Sequence, residues 1–386
     1  MSALDGLTVI DASRVLGGPY CGQILADHGA RVIKIEPPQG DETRLWGPPF
    51  QGDAASYFIG LNRNKEGIAL DFSQESGRAF LLQLLEGADV FLENFKTGTL
   101  EKWGIGREEL RKRFPRLVHV RVSGFGEDGP YGGRPGYDAA IQALCGIMSV
   151  NGEEGGTPLR VGIPVVDMVT ALNAAIGCLL ALQERERSGI GQFVETTLYD
   201  CGTSLMHPHL PNLYLGGGLP KLSGNAHPNI TPYDTYRCGD ADIFLAVGNN
   251  GQFAKLCECL GIAEAASDPR FATNADRKEN RPALREALEG ALAAHRAGDI
   301  AETLITSGVP CAPVRTLDQV VEDPHTKASG MIVDIGDNYR GTASPIKLDR
   351  TPATYHKAPP SFAEDREAIA REFGLEGDAA KVLLRK

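Results

Sequence analysis

The first 36 residues do most to limit what this chain can become. "GLTVIDAS" is a short apolar strand that ends in small and polar residues. "GGPYCGQILADHGA" follows, with Pro19 suited to a first helical turn and Gly29 to a helix stop. "RVIKIE" is a second strand. Two strands joined through one helix run parallel, with a right-handed crossover in nearly all known cases. Parallel strands need helices on their faces, so the opening commits the chain to an α/β fold.

The pattern continues downstream. "SGRAFLLQLLEGA" predicts a helix, "DVFLENF" a strand, "LEKWGIGREELRKRFP" one or two short helices, and "RLVHVRVSGFG" a strand that runs into a glycine loop. Residues 1–125 therefore read as a doubly wound α/β unit. Helices are predicted over 137–150 and 169–187, the second closed by Ser188-Gly189. "QFVETTLYD" reads as a strand leading into a helix. Residues 201–227 are rich in Gly, Pro and Asn and read as a linker. "YDTYRCGDADIFLAVG" predicts a hairpin across Gly239-Asp240, followed by helices to about 307 and a strand in "VPCAPVRT". This makes a smaller α+β domain over 228–325 beside a large domain over 1–200. A last helix is predicted near 362–373.

Composition removes some function classes. A net charge of −11 argues against general nucleic-acid binding, which needs a basic face, but leaves room for a locally basic pocket. No run is expected to cross a membrane, since the most apolar stretch, residues 171–182, is interrupted by Asn173 and closes in Gln183-Glu184-Arg185. "MSALDGLTVID" lacks the features of a signal peptide, and "LLRK" carries no common address. The eight cysteines are scattered without metal-finger spacing, Cys257 and Cys259 included, which fits reduced thiols in the cytoplasm. His207 and His209 flank Pro208 with no third ligand near, so "HPH" reads as a loop and no metal site is expected.

The first strand–helix turn invites a nucleotide reading. Gly17, Gly18 and Gly22 lie there, and Glu36 ends the second strand 19 residues after Gly17. The run G-G-P-Y-C-G nevertheless departs from G-x-G-x-x-G, because the middle glycine is misplaced and Pro19 fills the approach. A tight turn with close helix packing uses the same glycines, and NAD binding is the weaker reading. Arg14, Arg44, Arg63, Lys65, Lys96 and Lys102 fall near strand ends, where such folds bind ligands. Each alone reads as solvated charge; together they point to a phosphate-bearing ligand.

Asp167 lies in "GIPVVDMVTALNAAIG", flanked by Val165, Val166 and Met168 ahead of a helical run. From local pattern it reads as a helix N-cap, accepting bonds from free amides. The flanking apolar residues predict burial, which is unfavourable for a carboxylate unless compensated, and a helix N-terminus can keep it ionised. A poorly hydrated, ionised carboxylate is also a nucleophile toward an acyl group. The two roles conflict, because a cap commits its oxygens while a nucleophile must keep one free.

"LGGPYCGQILADHGARVIKIEPPQGDETR", "LNRNKEGIALD", "ENFKTGTLEKWGIG", "SGFGEDGPYGGRPGYDAAIQALCGIMSVNG", "GIPVVDM" and "QERERSGIGQFVETTLYD" together resemble the class III CoA-transferase (CaiB/BaiF) family. Each motif is weak alone; their order and spacing make the resemblance specific. It implies an enzyme that moves CoA from an acyl-CoA donor to a free carboxylic acid, with no prosthetic group, and Asp167 as its nucleophile. It implies CoA contacts at Val15, Leu16 and Gly17, at Asn62, Arg63, Asn64 and Lys65, at Asn94, Phe95 and Lys96, and at Lys102. Tyr137 and Asp138 would lie beside the thioester. The family fold is a Rossmann-like large domain, completed here by 326–386, in an interlocked homodimer.

Departures narrow the reading. Related 2-methylacyl-CoA racemases and epimerases use a histidine where this chain has Tyr137, and an ordinary tyrosine is a poor base at neutral pH. Formyl-CoA transferases carry glutamine in place of Leu16 and a tetraglycine flap in place of residues 227–230, so formyl or oxalyl chemistry is disfavoured and a larger, more apolar acyl group is expected. Pro37 stands where the family often has a basic residue, which removes one phosphate contact. "GGG" at 216–218 lies too early for the flap and reads as linker. An epimerase of the same fold and a nonenzymatic acyl-CoA binder are the alternatives. Succinyl-CoA and other dicarboxylic acyl-CoAs are the first donors to consider.

Overall fold

The computed structural model describes residues 2–375 and 379–383. The chain forms two compact units. The larger comprises Met1–Ile147, Arg160–Gly216 and His325–Lys386; the smaller comprises Met148–Leu159 and Gly217–Pro324. Residues 148–159, read in the sequence as part of the large domain, cluster with the small unit, and residues 201–216, read as linker, cluster with the large one. Of the expected C-terminal segment, 376–378 and 384–386 lie outside the described residues.

The large unit is built on six strands: β1 (Thr8–Asp11), β2 (Arg31–Glu36), β3 (Lys65–Ala69), β4 (Val90–Glu93), β5 (Val118–Ser123) and β6 (Phe193–Thr197). All neighbouring pairs are parallel, in the order β3-β2-β1-β4-β5-β6. This is the Rossmann order, and its switch point lies between β1 and β4, where ligands bind beyond the strands' carboxyl ends. Ile10, Ile33, Ile68 and Phe91 form a buried cluster with Phe80, Leu81, Leu84 and Leu85 of helix α2 (Glu75–Leu85). Ile369, on the C-terminal helix Arg366–Glu372, joins the same cluster. Full burial of each such side chain contributes about 1.5–3 kcal/mol, which fixes the strand ends that carry the site.

Two helices matter for the site. Helix α1 (Gly17–Asp27) leaves β1 through a short loop. The predicted helix over 137–150 breaks at Gly146, whose φ is 97°, into α3 (Asp138–Leu144) and a turn at Ile147–Val150. The long helix α4 runs from Val165 to Ser188, one turn earlier than predicted. Its stripe Val166, Thr170, Ala174, Cys178, Ala181 and Arg185 is buried, and it packs on α1, β5 and β6. Contrary to expectation, α4 is long and apolar enough to span a membrane by length and composition. The buried stripe accounts for part of that apolarity, while Leu172, Ile176, Leu179 and Leu180 remain exposed.

The small unit has three antiparallel strands, β7 (Tyr233–Arg237), β8 (Asp242–Ala246) and β9 (Cys311–Pro313), in the order β9-β8-β7. Helices Asn250–Cys259, Arg281–Leu292 and Ala297–Thr306 supply its core through Phe253, Leu256, Leu288 and Leu304.

Candidate active site

A cavity of about 230 Å³ opens at the carboxyl ends of the central strands. The loop after β1 contributes Arg14, Val15, Leu16 and Gly17; the loop after β4 contributes Asn94, Phe95, Lys96 and Thr97. Beyond β5 the glycine-rich loop adds Arg134, Gly136 and Tyr137, and α4 adds Asp167.

Close packing explains the glycines of the first turn. A Cβ at Gly18 would fall 2.2 Å from that of Ser13, and one at Gly22 would fall 2.8 Å from Oδ2 of Asp11. Gly17 sits against α4, where a Cβ would lie 3.9 Å from the Asp167 carbonyl oxygen. Val15 adopts a φ of 70°, a region that a β-branched residue enters only when its surroundings enforce it. The side chain of Asn94 brackets the preceding residue. Its Oδ1 accepts from the Arg14 amide at 2.9 Å and its Nδ2 donates to the Arg14 carbonyl at 2.7 Å. Asn94 thus holds the β1 loop as well as lining the cavity.

Beneath that loop lies a fully buried group of four charges. Lys65 donates to Asp11 Oδ2 at 2.9 Å, Asn62 Oδ1 at 2.9 Å and the Pro19 carbonyl at 2.7 Å. Lys34 donates to Asp41 Oδ2 at 3.1 Å and to the Ser13 carbonyl at 2.9 Å. Burial opposes ionisation of Asp11, but Lys65 and Lys34 outweigh it and hold the carboxyl below its usual range.

Asp167 is the opposite case. It is the third residue of α4, whose first turn begins after Pro164, and it is 9% exposed. It does not cap the helix. That role falls to Asp138, whose Oδ2 accepts from the amides of Val166 at 2.8 Å and Asp167 at 3.1 Å. No described residue donates a hydrogen bond to the Asp167 carboxylate, which lines the cavity. Burial first, and the neighbouring Asp138 second, push its carboxyl up to about 7. The sequence expectation that the helix start can compensate this carboxylate is not met, because its first free amides serve Asp138.

The structure brings Val15, Leu16, Gly17, Asn94, Phe95, Lys96, Tyr137 and Asp167 to one cavity wall, with Asp138 buried directly behind. It does not bring Asn62, Arg63, Asn64 or Lys65 there. All four are buried and bonded inside the protein. Arg63 makes a bidentate pair with Asp27, at 2.9 and 2.6 Å, and reaches Tyr339 Oη at 2.8 Å. Asn64 donates to Asp27 and to the Thr354 carbonyl and accepts from the Lys357 amide. These residues fasten the C-terminal segment to the first βαβ unit. Arg44 likewise pairs with Glu36, at 2.8 and 2.7 Å. Lys102 is exposed on the helix Thr99–Lys102, outside the lining. Arg134 was missed in the sequence; its place in "GPYGGRPGYD", a cation among glycines three residues before Tyr137, was the available signal.

The family model for CoA-transferase family III matches residues 4–366. The chain is 37% identical to a succinate–glutarate CoA-transferase of Agrobacterium fabrum, covering 96% of this chain and 95% of that protein. It is 35% identical to a succinyl-CoA–D-citramalate CoA-transferase of Chloroflexus aurantiacus, covering 99% and 97% respectively. A crystal structure of a CaiB/BaiF family protein from Brucella suis superposes with a TM-score of 0.87 at 41% identity, covering 96% of this chain and 99% of that one. With the switch-point cavity and its lining on the same fold, the chain belongs to the family III CoA-transferases.

Proposed function

We propose that this enzyme transfers CoA between short dicarboxylic acids, with Asp167 as the covalent nucleophile. The observation that carries the reading is the unbonded carboxylate of Asp167, buried on the cavity wall. An ionised oxygen of Asp167 attacks the donor thioester carbonyl. Collapse of the tetrahedral intermediate expels CoA thiolate and leaves an aspartyl–acyl anhydride. The thiolate attacks the aspartyl carbonyl, releasing the donor acid and leaving an aspartyl-CoA thioester. The acceptor carboxylate attacks that thioester, forming a second anhydride and thiolate. Attack of the thiolate on the acceptor acyl carbon gives the new acyl-CoA and regenerates Asp167. Each step exchanges one acyl bond for another, the logic of covalent catalysis.

Oxyanion stabilisation falls to α1 rather than α4. The first amides of α4 are engaged: Val165 with Ile163, Val166 and Asp167 with Asp138, and Met168 with Pro164. The amide of Gly17, first in α1 and in the cavity lining, has no acceptor among the described residues, and with the helix dipole behind it we assign it to the developing oxyanion. Arg14, Lys96 and Arg134 line the cavity with no carboxylate partner among the described residues and suit an anionic substrate. The two relatives named above act on succinate, glutarate and D-citramalate, which supports short dicarboxylates here. The exposed apolar face of α4 supports the homodimer, since apolar patches of this kind mark interaction surfaces. The free cysteines fit a cytoplasmic enzyme.

The test is a CoA-exchange screen read by mass spectrometry, pairing succinyl-CoA and glutaryl-CoA with a panel of mono- and dicarboxylic acids. Acceptor-dependent exchange with the short dicarboxylates is expected. Loss of the α-proton to solvent deuterium without CoA exchange would establish an epimerase instead, and CoA affinity without turnover a binder.

A further inference from the structure

Gln142 lies on α3, one helical turn after Asp138, and is completely buried. Its Nε2 donates to Asp138 Oδ1 at 2.5 Å and lies 3.5 Å from the Ile163 carbonyl. Its Oε1 accepts from the Val161 amide at 2.8 Å. A backbone donor on one side and a carboxylate on the other fix the sense of the amide, so a flipped Gln142 would lose both bonds. Gln142 thereby ties together the carboxylate that caps α4 and the strand of backbone that leads into α4.

We infer that Gln142 is a positioning residue for the nucleophile, holding Asp138 on the α4 amides so that the Asp167 carboxylate stays free and turned to the cavity. This rests on the reading of Asp167 as nucleophile. The chemistry of the side chain is the point. Asp138 needs a buried donor, because an unpaired buried carboxylate oxygen is unfavourable. A lysine or arginine would supply one but would also neutralise Asp138. An amide donates without adding charge, so Asp138 keeps its full effect on its neighbour. With Oδ1 occupied by Gln142, Oδ2 is aimed at Val166 and Asp167, and Asp167 has no capping role left to fill.

The experiment is a double-mutant cycle between Gln142→Leu and Asp138→Asn, with kcat and KM measured for succinyl-CoA:glutarate exchange and unfolding followed in urea. Gln142→Leu is expected to lower kcat about tenfold with KM little changed, and to have no further effect on kcat in the Asp138→Asn background. Equal loss in both backgrounds, or an unchanged kcat in folded Gln142→Leu, would overturn the proposal. If Gln142→Leu does not fold, Gln142→Met keeps an unbranched side chain of similar volume and removes the donor to Asp138 without adding charge. A wild-type kcat in that variant would equally overturn it. Asp167→Ala separates the two readings: transfer surviving there defeats the nucleophile, whereas the unfolding cycle still reports whether Gln142 acts through Asp138.

Discussion

Two groups of buried charge lie behind the cavity lining, one beneath the β1 loop and one at the start of α4, and they follow opposite plans. Asp11, Lys34, Asp41 and Lys65 alternate in sign, and each carboxylate has an ammonium within about 3 Å. Asp138 and Asp167 carry the same sign, and no cation pairs with either among the described residues. The first group holds the β1 loop rigidly, tying Ser13 and Asp41 to the sheet. The second is held only by amides, and it leaves one carboxylate poorly stabilised. Compensated charge makes scaffold; uncompensated charge makes a group whose ionisation is unfavourable, as perturbed groups at functional sites often are.

The largest effect expected from breaking this contrast is on turnover. Asp167→Asn should lower CoA transfer on the order of 10⁴-fold or more while leaving the fold intact. Breaking the other group should instead strike stability. Lys65→Met strands Asp11 without its nearest cation, and a loss of about 3–5 kcal/mol in urea unfolding is expected. A near-neutral result there would mean that Asp11 finds water or another donor.

The same Asp167→Asn variant also has a pH-dependent effect on stability. The folded carboxyl titrates near 7, above its ordinary 3.8, so its ionisation opposes folding. The penalty is absent below the unfolded value, grows between about pH 4 and 7, and is constant above. Asp167→Asn should therefore stabilise the protein at pH 8 by roughly 2–4 kcal/mol and leave it nearly unchanged at pH 4. Transfer by the native enzyme should rise with pH through about 7 and then level. Asp138→Asn removes the like charge and should move that rise to lower pH, at about 1 kcal/mol of stability for the weakened cap. An unmoved profile would assign the raised value to burial alone. The smallest effects concern charge at the rim. Lys96→Ala should raise KM for acyl-CoA several-fold, whereas Lys102→Ala should leave it unchanged.

The sheet was legible early because short strands and capped helices are local features, and "LTVID", "RVIKI" and "HVRVS" carry their burial in their own sequence. The division of labour around Asp167 was not. Its local pattern is that of a cap, and the residue that displaces it from that role, Asp138, lies 29 positions earlier. The internal pairing of Arg63 and Lys65 is hidden from the sequence for the same reason. A cation near a strand end looks alike whether it awaits a phosphate or already meets Asp27 or Asp11 across the core. Only the order of motifs along the chain pointed to Asp167, and only the fold shows why its carboxylate is left unbonded.

The proposed mechanism requires Asp167 to become covalently acylated. Incubating the enzyme with succinyl-CoA, trapping with hydroxylamine and mapping the product by peptide mass spectrometry tests it directly. An aspartyl hydroxamate at Asp167, absent when succinyl-CoA is omitted, is the expected product. A hydroxamate on another residue, or none while transfer proceeds, would contradict it.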